Sequence, residues 1–167
     1  MTVVSEKVGR VVGSTVTLLT VTALLAGCTA PQPEDRKPSV DPETAKQQMI
    51  DAVDAVTGRL GGEWKVRTGP DAPEACLLQD GSEGAHWVYL TGRLKGSAPE
   101  DPEPDAAAIR ELWTTWGMTV ERWAAPDGPA IAARGGSTIA SSSLYAFPDN
   151  YTVQAVSLCF PGDAGRL

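Results

Sequence analysis

Apolar residues recur along this chain in three rhythms, and each predicts a different element. Near the N-terminus they are almost continuous, from Val11 to Ala26. Beyond Asp41 they return every three or four positions in two stretches, and every second position in several others. Met49, Val53, Val56 and Leu60 follow at spacings of four, three and four, one stripe along a helix. Asp41 suits the N-cap, Pro42 the first turn and Glu43 the positive end of the dipole, while Gly61 and Gly62 end the helix. Ile109, Leu112, Trp113 and Trp116 mark a second helix, capped by Asp105 and ended by Gly117.

Alternation with a period of two marks the strands. Trp64, Val66 and Thr68 alternate with Glu63, Lys65 and Arg67, a strand with one wet face. After a Gly-Pro-Asp turn, Ala75 to Leu78 resumes that strand around Cys76. Gln79 to Gly84 reads as a turn, and His86 to Leu94 as the second strand. In it Val88, Leu90 and Leu94 face one side, Trp87, Tyr89 and Arg93 the other. Lys95 to Pro104 is an acidic, proline-rich loop. Past the second helix come a strand at Met118 to Ala124, a Pro-Asp-Gly-Pro turn, and an Ala-rich segment to Arg134. Ser137 to Phe147 and Tyr151 to Phe160 then form a hairpin about Pro148-Asp149-Asn150. The order is helix, two strands, helix, then three or four strands. An α+β two-layer sandwich, with both helices on one face of an antiparallel sheet, buries these stripes economically. Small residues at 140 to 143 would let a helix approach closely, with Val156, Leu158 and Phe160 supplying bulk.

The continuous N-terminal run has a different meaning. Lys7 and Arg10 precede it, and it closes on Leu25-Ala26-Gly27-Cys28, the order of a secretory signal ending in a lipobox. At about 16 residues it is shorter than the ~20 usually needed to span a bilayer, which disfavours an uncleaved membrane helix. Cys28 is therefore the expected lipidation site and first mature residue. Diacylglycerol on its thiol ties the protein to the membrane, since one acyl chain binds marginally and two or three bind durably. Thr29 to Asp41, with three prolines and no apolar period, is a tether that reaches about 40 Å when extended. The expected layout is a signal at 1–27, lipidated Cys28 and tether at 28–41, one domain at 42–162 and a tail at 163–167.

Charge and cysteine count narrow the function. Without Lys7, Arg10 and Glu6 the mature chain keeps 12 basic and 20 acidic residues, a formal charge of −8. That acidity, with no basic cluster longer than Arg36-Lys37, argues against nucleic acid and against direct binding to anionic headgroups. With Cys28 assigned to lipid, Cys76 and Cys159 remain as an even pair. In an exported protein they are expected as a disulfide, separate buried thiols being the alternative.

No residue set carries a catalytic signature. His86 is the only histidine, expected at a strand end on the sheet edge, and no serine lies in a Gly-x-Ser-x-Gly turn; Ser141 to Ser143 read as strand. Asp101, Glu103 and Asp105 have the one-three-five spacing of a calcium loop. They lack its glycine at position six (Ala106) and its acid at position twelve (Leu112), so no metal or other cofactor is expected. Of the five tryptophans, Trp113 and Trp116 belong to the helix stripe, while Trp87 and Trp123 on strand faces are the candidates for a binding surface.

The lipobox cysteine, the Pro/charged tether, the helix leading to Gly62-Glu63-Trp64-Lys65, Cys76, the middle helix and the closing Leu158-Cys159-Phe160 together resemble the LppA-type small lipoproteins of mycobacteria and related actinobacteria. The resemblance spans most of residues 25 to 161, with a shorter middle section here. It implies a surface-anchored α+β domain with one disulfide and brings no catalytic residues. The richness in Ala, Gly, Pro, Asp and Trp also resembles exported proteins of high-GC actinobacteria. The expected function is a non-enzymatic, extracytoplasmic domain, held on the membrane through Cys28, that binds a protein or envelope partner. The alternative is a small-ligand or lipid carrier with a cavity between helices and sheet.

Overall fold

In the computed structural model, which describes residues 40–94, 99–148 and 150–166, the helix expected after Asp41 is α1 (Pro42–Leu60). The Asp41 carboxylate accepts from the Thr44 N–H at 3.0 Å, which satisfies one of the free donors of the first turn. Gly61, at φ 64°, ends the helix as its N–H returns to the Thr57 carbonyl. Met49, Val53 and Val56 are buried as the stripe requires, with Ala45 and Ala52 filling in between.

β1 (Trp64–Thr68), β2 (Pro73–Leu77) and β3 (Glu83–Arg93) follow. β1 pairs with the C-terminal half of β3 (Thr68 opposite Leu90), and β2 with its N-terminal half (Leu77 opposite Glu83). The two are thus one edge interrupted by a turn, which matches the expected resumption. β3 starts three residues earlier than the sequence suggested. α2 (Glu103–Thr115) is followed by β4 (Thr119–Ala125), β5 (Gly128–Arg134), β6 (Ile139–Phe147), β7 (Asn150–Ser157), the two-residue β8 (Phe160–Pro161) and a 3-10 turn at Ala164–Arg166. Five strands, rather than three or four, thus follow α2: the Ala-rich segment is a full strand, and the last strand breaks at Leu158 and Cys159. The antiparallel sheet runs β1-β3-β7-β6-β5-β4, with β2 and β8 flanking the start of β3.

Both helices cover one face, α1 over β3 and β7, α2 over β4 and β5. This is the expected α+β two-layer arrangement. The core between the layers joins Met49, Val53 and Val56 of α1 and Ile109 and Trp113 of α2 to Ile131, Leu144, Val153 and Ala155 of the sheet. The inward residues of β7 are therefore the odd-numbered ones. Val156, expected to supply core bulk, points to the other side. Ser142 is the one serine of its run that faces the helices, and its hydroxyl donates to the Gln154 carbonyl at 2.8 Å.

Cys76 and Cys159 form a disulfide, with Cα atoms 6.2 Å apart. Cys76 lies opposite Gly84, and Gly84 lies opposite Pro161 on its other side, so the bridge crosses β3 over Gly84. A Cβ there would sit 2.8 Å from the Cys159 Sγ and 2.6 Å from the Phe160 carbonyl oxygen, which explains the glycine.

Two expectations are corrected. Asp105 does not cap α2; the helix begins at Glu103 after Pro102, and the Asp101 carboxylate accepts from the Glu103 N–H instead. His86 is not at a sheet edge, because β2 pairs alongside it and places Glu74 opposite. Cys28, the signal segment and the tether up to Ser39 lie outside the described residues, as do residues 95–98 of the proline-rich loop. Among the described residues no helix is long and apolar enough to cross a membrane.

Candidate functional site

The side of the sheet away from the helices carries no second layer among the described residues, and register determines what it displays. Cross-strand partners share a face, so three parallel rows can be read off. The first runs Thr119, Arg134, Ser141, Val156, Val88. The second is Glu121, Ala132, Ser143, Gln154, Leu90. The third is Trp123, Ala130, Tyr145, Thr152, Gly92. Small side chains occupy the middle of the first two rows, leaving a furrow flanked by larger ones.

Two shallow hollows make up this furrow. One, of about 210 Å³, is lined by Arg67, Ser143, Tyr145, Asn150, Thr152 and Gln154 among others. The second, of about 160 Å³, is lined by Arg134, Ser141, Ser143, Gln154 and Val156 among others. Ser143 and Gln154 line both, so the hollows adjoin. Each is below the ~300 Å³ at which enclosed small-molecule pockets usually begin, so the shape is that of a platform rather than a cage.

Tyr145 lines the first hollow at the end of an aromatic cluster. Trp123 and Tyr145 meet edge to face at 6.0 Å, and Tyr145 and Phe147 at 5.7 Å. Ala130, between Trp123 and Tyr145 in register, is small enough for the rings to close over it and is fully buried. Trp123 remains 41% exposed, the most accessible ring of this aromatic cluster. At the other end the Arg67 guanidinium lies over Gly92, where any Cβ would overlap it, and donates to the Asn150 side-chain oxygen at 3.2 Å. Arg134 has no hydrogen bond or ion pair from its guanidinium among the described residues.

The predicted site residues separate. Trp123 belongs to this face. Trp87, its expected companion, is 2% exposed on the helix-covered side, its backbone N–H donating to the Ser157 hydroxyl at 2.9 Å. The reason is that odd-numbered positions of β3 point under α1. Ser141 and Ser143 line the furrow, whereas His86 lies on β3 with β7 between it and β6, about 10 Å from the serine strand by strand spacing alone. Burial holds the His86 pKa below its usual value, with Glu74 pulling the other way. Asp101, Glu103 and Asp105 go to three different partners: the Glu103 N–H, the Arg122 guanidinium at 2.7 Å, and Tyr151 with Arg93. Among the described residues no group of three His, Cys, Asp or Glu is placed to hold a metal ion.

Arg93 forms a second polar cluster, on the helix side. Its guanidinium lies near the rings of Trp64 (5.7 Å) and Tyr151 (5.3 Å), donates to the Leu60 carbonyl at 3.2 Å and pairs with Asp105 at 3.7 Å. The Tyr151 hydroxyl donates to the same carboxylate, and burial, then that bond, pushes its pKa well up. The cluster ties the end of α1, the start of α2 and the sheet together, so its role is structural.

Sequence reasoning missed Arg67, Arg134, Tyr145, Asn150 and Gln154. The alternation Ser141, Ser143, Tyr145, Phe147 was the available signal, had the outward side of β6 been known. No family model, curated protein or solved structure matches this chain.

Proposed function

We propose that this protein is a non-enzymatic recognition domain, lipid-anchored through Cys28 on the extracytoplasmic side of the membrane, that binds a protein or envelope partner with the uncovered face of its sheet. The observation that carries the reading is that face: a furrow of hydroxyl and amide groups lined on one side by Tyr145, against which Trp123 and Phe147 pack, on the side that packing does not require. A single domain rarely leaves aromatic rings and hydrogen-bonding groups together on a surface without a binding use. The lipobox, the disulfide and the likeness to LppA-type lipoproteins support the location. The position of the hollows, away from the helix layer, favours a surface over a carrier cavity between helices and sheet. The separation of His86 from Ser141 and Ser143 supports a role without catalysis.

Two substitutions test the reading in the full chain, by complementation of a deletion strain. Cys28→Ser should abolish lipid attachment, read by mass spectrometry, and release the protein from membranes. Ser143→Trp, which fills the furrow where its two hollows join, should abolish complementation at unchanged surface abundance and circular dichroism. Full complementation by Ser143→Trp would remove the open face from the function, and an unmodified Cys28 within a mature wild-type chain would remove the anchor.

A further inference from the structure

Charge on the open face runs against the charge of the molecule. The protein is acidic overall, with a formal charge of −7. Yet each hollow contains one arginine, Arg67 or Arg134, and neither has a carboxylate among its described lining residues. Lys65, opposite Gly92, adds a third cation. Facing them on the same side are Glu121, at the β4 edge, and Glu74, held opposite His86 at the far end of β3. Neither glutamate forms an ion pair with Arg67 or Arg134. In an acidic domain, two guanidinium groups without a carboxylate partner among the described residues, one in each hollow, are a charge pattern complementary to an anion.

The rest of the furrow narrows the class of ligand. Asn150, Gln154, Thr152, Ser141 and Ser143 offer donors and acceptors together, which suits a polyhydroxylated chain whose every hydroxyl is both. Tyr145, with Trp123 beside it, offers an aromatic surface for the C–H face of a sugar ring. Arg134 and Gly92, over which Arg67 lies, are three strands and two rows (four residues along a strand) apart, about 20 Å at sheet spacings. That distance fits a short run of sugars better than one. A single planar guanidinium in each hollow, able to form two parallel hydrogen bonds, matches a carboxylate. A protein partner would require a more apolar centre than serine, alanine and glutamine provide.

We propose that the open face binds a carboxylated glycan, a chain of uronic-acid-type sugars, with Arg67 and Arg134 each holding a carboxylate. This rests on the reading of that face as the recognition surface. The test is calorimetric titration of the full chain, purified in detergent, with oligogalacturonate, and with neutral maltooligosaccharide and a polyol phosphodiester oligomer of equal length. Oligogalacturonate should bind at least about tenfold more tightly than either comparator, weaken as salt rises, and weaken about tenfold with Arg134→Gln. Arg67→Gln should act likewise; Arg134, whose guanidinium is unpaired, carries the test if loss of the Arg67–Asn150 bond disturbs the fold. Ser143→Trp should abolish binding.

Equal or tighter binding of the neutral or phosphodiester chain, no binding of oligogalacturonate, or indifference to Arg134→Gln would each overturn the proposal. The recognition surface itself is judged separately, by Ser143→Trp in the complementation assay. Loss there with no uronate binding retains the surface and removes the glycan, whereas uronate binding that survives Ser143→Trp lies elsewhere and removes the glycan from this face.

Discussion

Replacing Cys76 and Cys159 together by alanine should lower the melting temperature by about 8–16 °C, given the usual disulfide contribution of about 2–4 kcal/mol. The magnitude follows from the chain. The bridge closes a loop across a sequence separation of 83, for which chain entropy alone gives about 4.5 kcal/mol as an upper figure. For a domain of this size, unfolding entropy near about 0.26 kcal/mol/K makes each kcal/mol worth about 4 °C. The loss should also be local in character. β2 is mostly exposed or half-buried and is held by its pairing with β3 and by the bridge, so its amides should lose hydrogen-exchange protection first.

Gly84 provides an internal control. Gly84→Ala in the wild type places a Cβ against both the Cys159 Sγ and the Phe160 carbonyl; without the cysteines only the carbonyl remains. The combined cost should therefore be smaller than the sum, by about 1 kcal/mol. Thermal unfolding of the wild type and the three variants, followed by near-ultraviolet circular dichroism, reads both quantities. A decrease below about 4 °C on removing the bridge, under 1 kcal/mol by the same conversion, would refute the loop-entropy reasoning. Strict additivity with Gly84→Ala would refute the crossing of the bridge over that residue.

Trp87→Ala should destabilise the domain by about 3–5 kcal/mol, and Trp123→Ala by under about 1 kcal/mol, because only the first is buried; comparable denaturation midpoints would contradict the assignment of faces. Asp105→Asn leaves the Arg93 guanidinium, 9% exposed, without its counter-charge, and should cost about 2 kcal/mol, between exposed and fully buried pairs. Glu103→Gln, which breaks the exposed pair with Arg122, should cost under about 1 kcal/mol by urea titration, and a reversed order would be decisive against the clamp. Burial lowers the His86 pKa, so the folded state favours the neutral ring and binds fewer protons than the unfolded chain. Its contribution is complete above the reference value of 6.5 and is lost as pH falls through the folded pKa. His86→Gln should therefore flatten the stability profile on the acid side of neutrality, and parallel profiles would exclude this contribution.

The elements that were legible in the sequence are those whose causes are local. α1 could be bounded because Asp41, the apolar stripe and Gly61 all lie within or beside the helix they determine. The cysteine pair followed from counting, and the α+β class from the order in which periods of 3.6 and 2 alternate. Other features depended on contacts between distant segments. Alternation shows that Trp87 and Tyr89 share one side of a strand, but not which side a helix will cover. That depended on where α1 docked, so Trp87 is core and Trp123 surface although both sit in alternating strands.

The serines at 141 to 143 divide for the same reason, as do Val153 and Val156. Asp105 has the local signals of a cap, but Tyr151, 46 positions away, takes its carboxylate. His86 is interior to the sheet because β2 returns along β3. The open furrow is the fullest case. Arg67, Arg134, Tyr145 and Gln154 come from four different strands, and no periodicity within any one of them states that they meet. The chain determined its helices, its covalent bridge and its class, because those signals act over a few residues or by residue type. Strand order and the docking of two helices onto one face determined the candidate site, because a shared surface exists only once distant segments are in register.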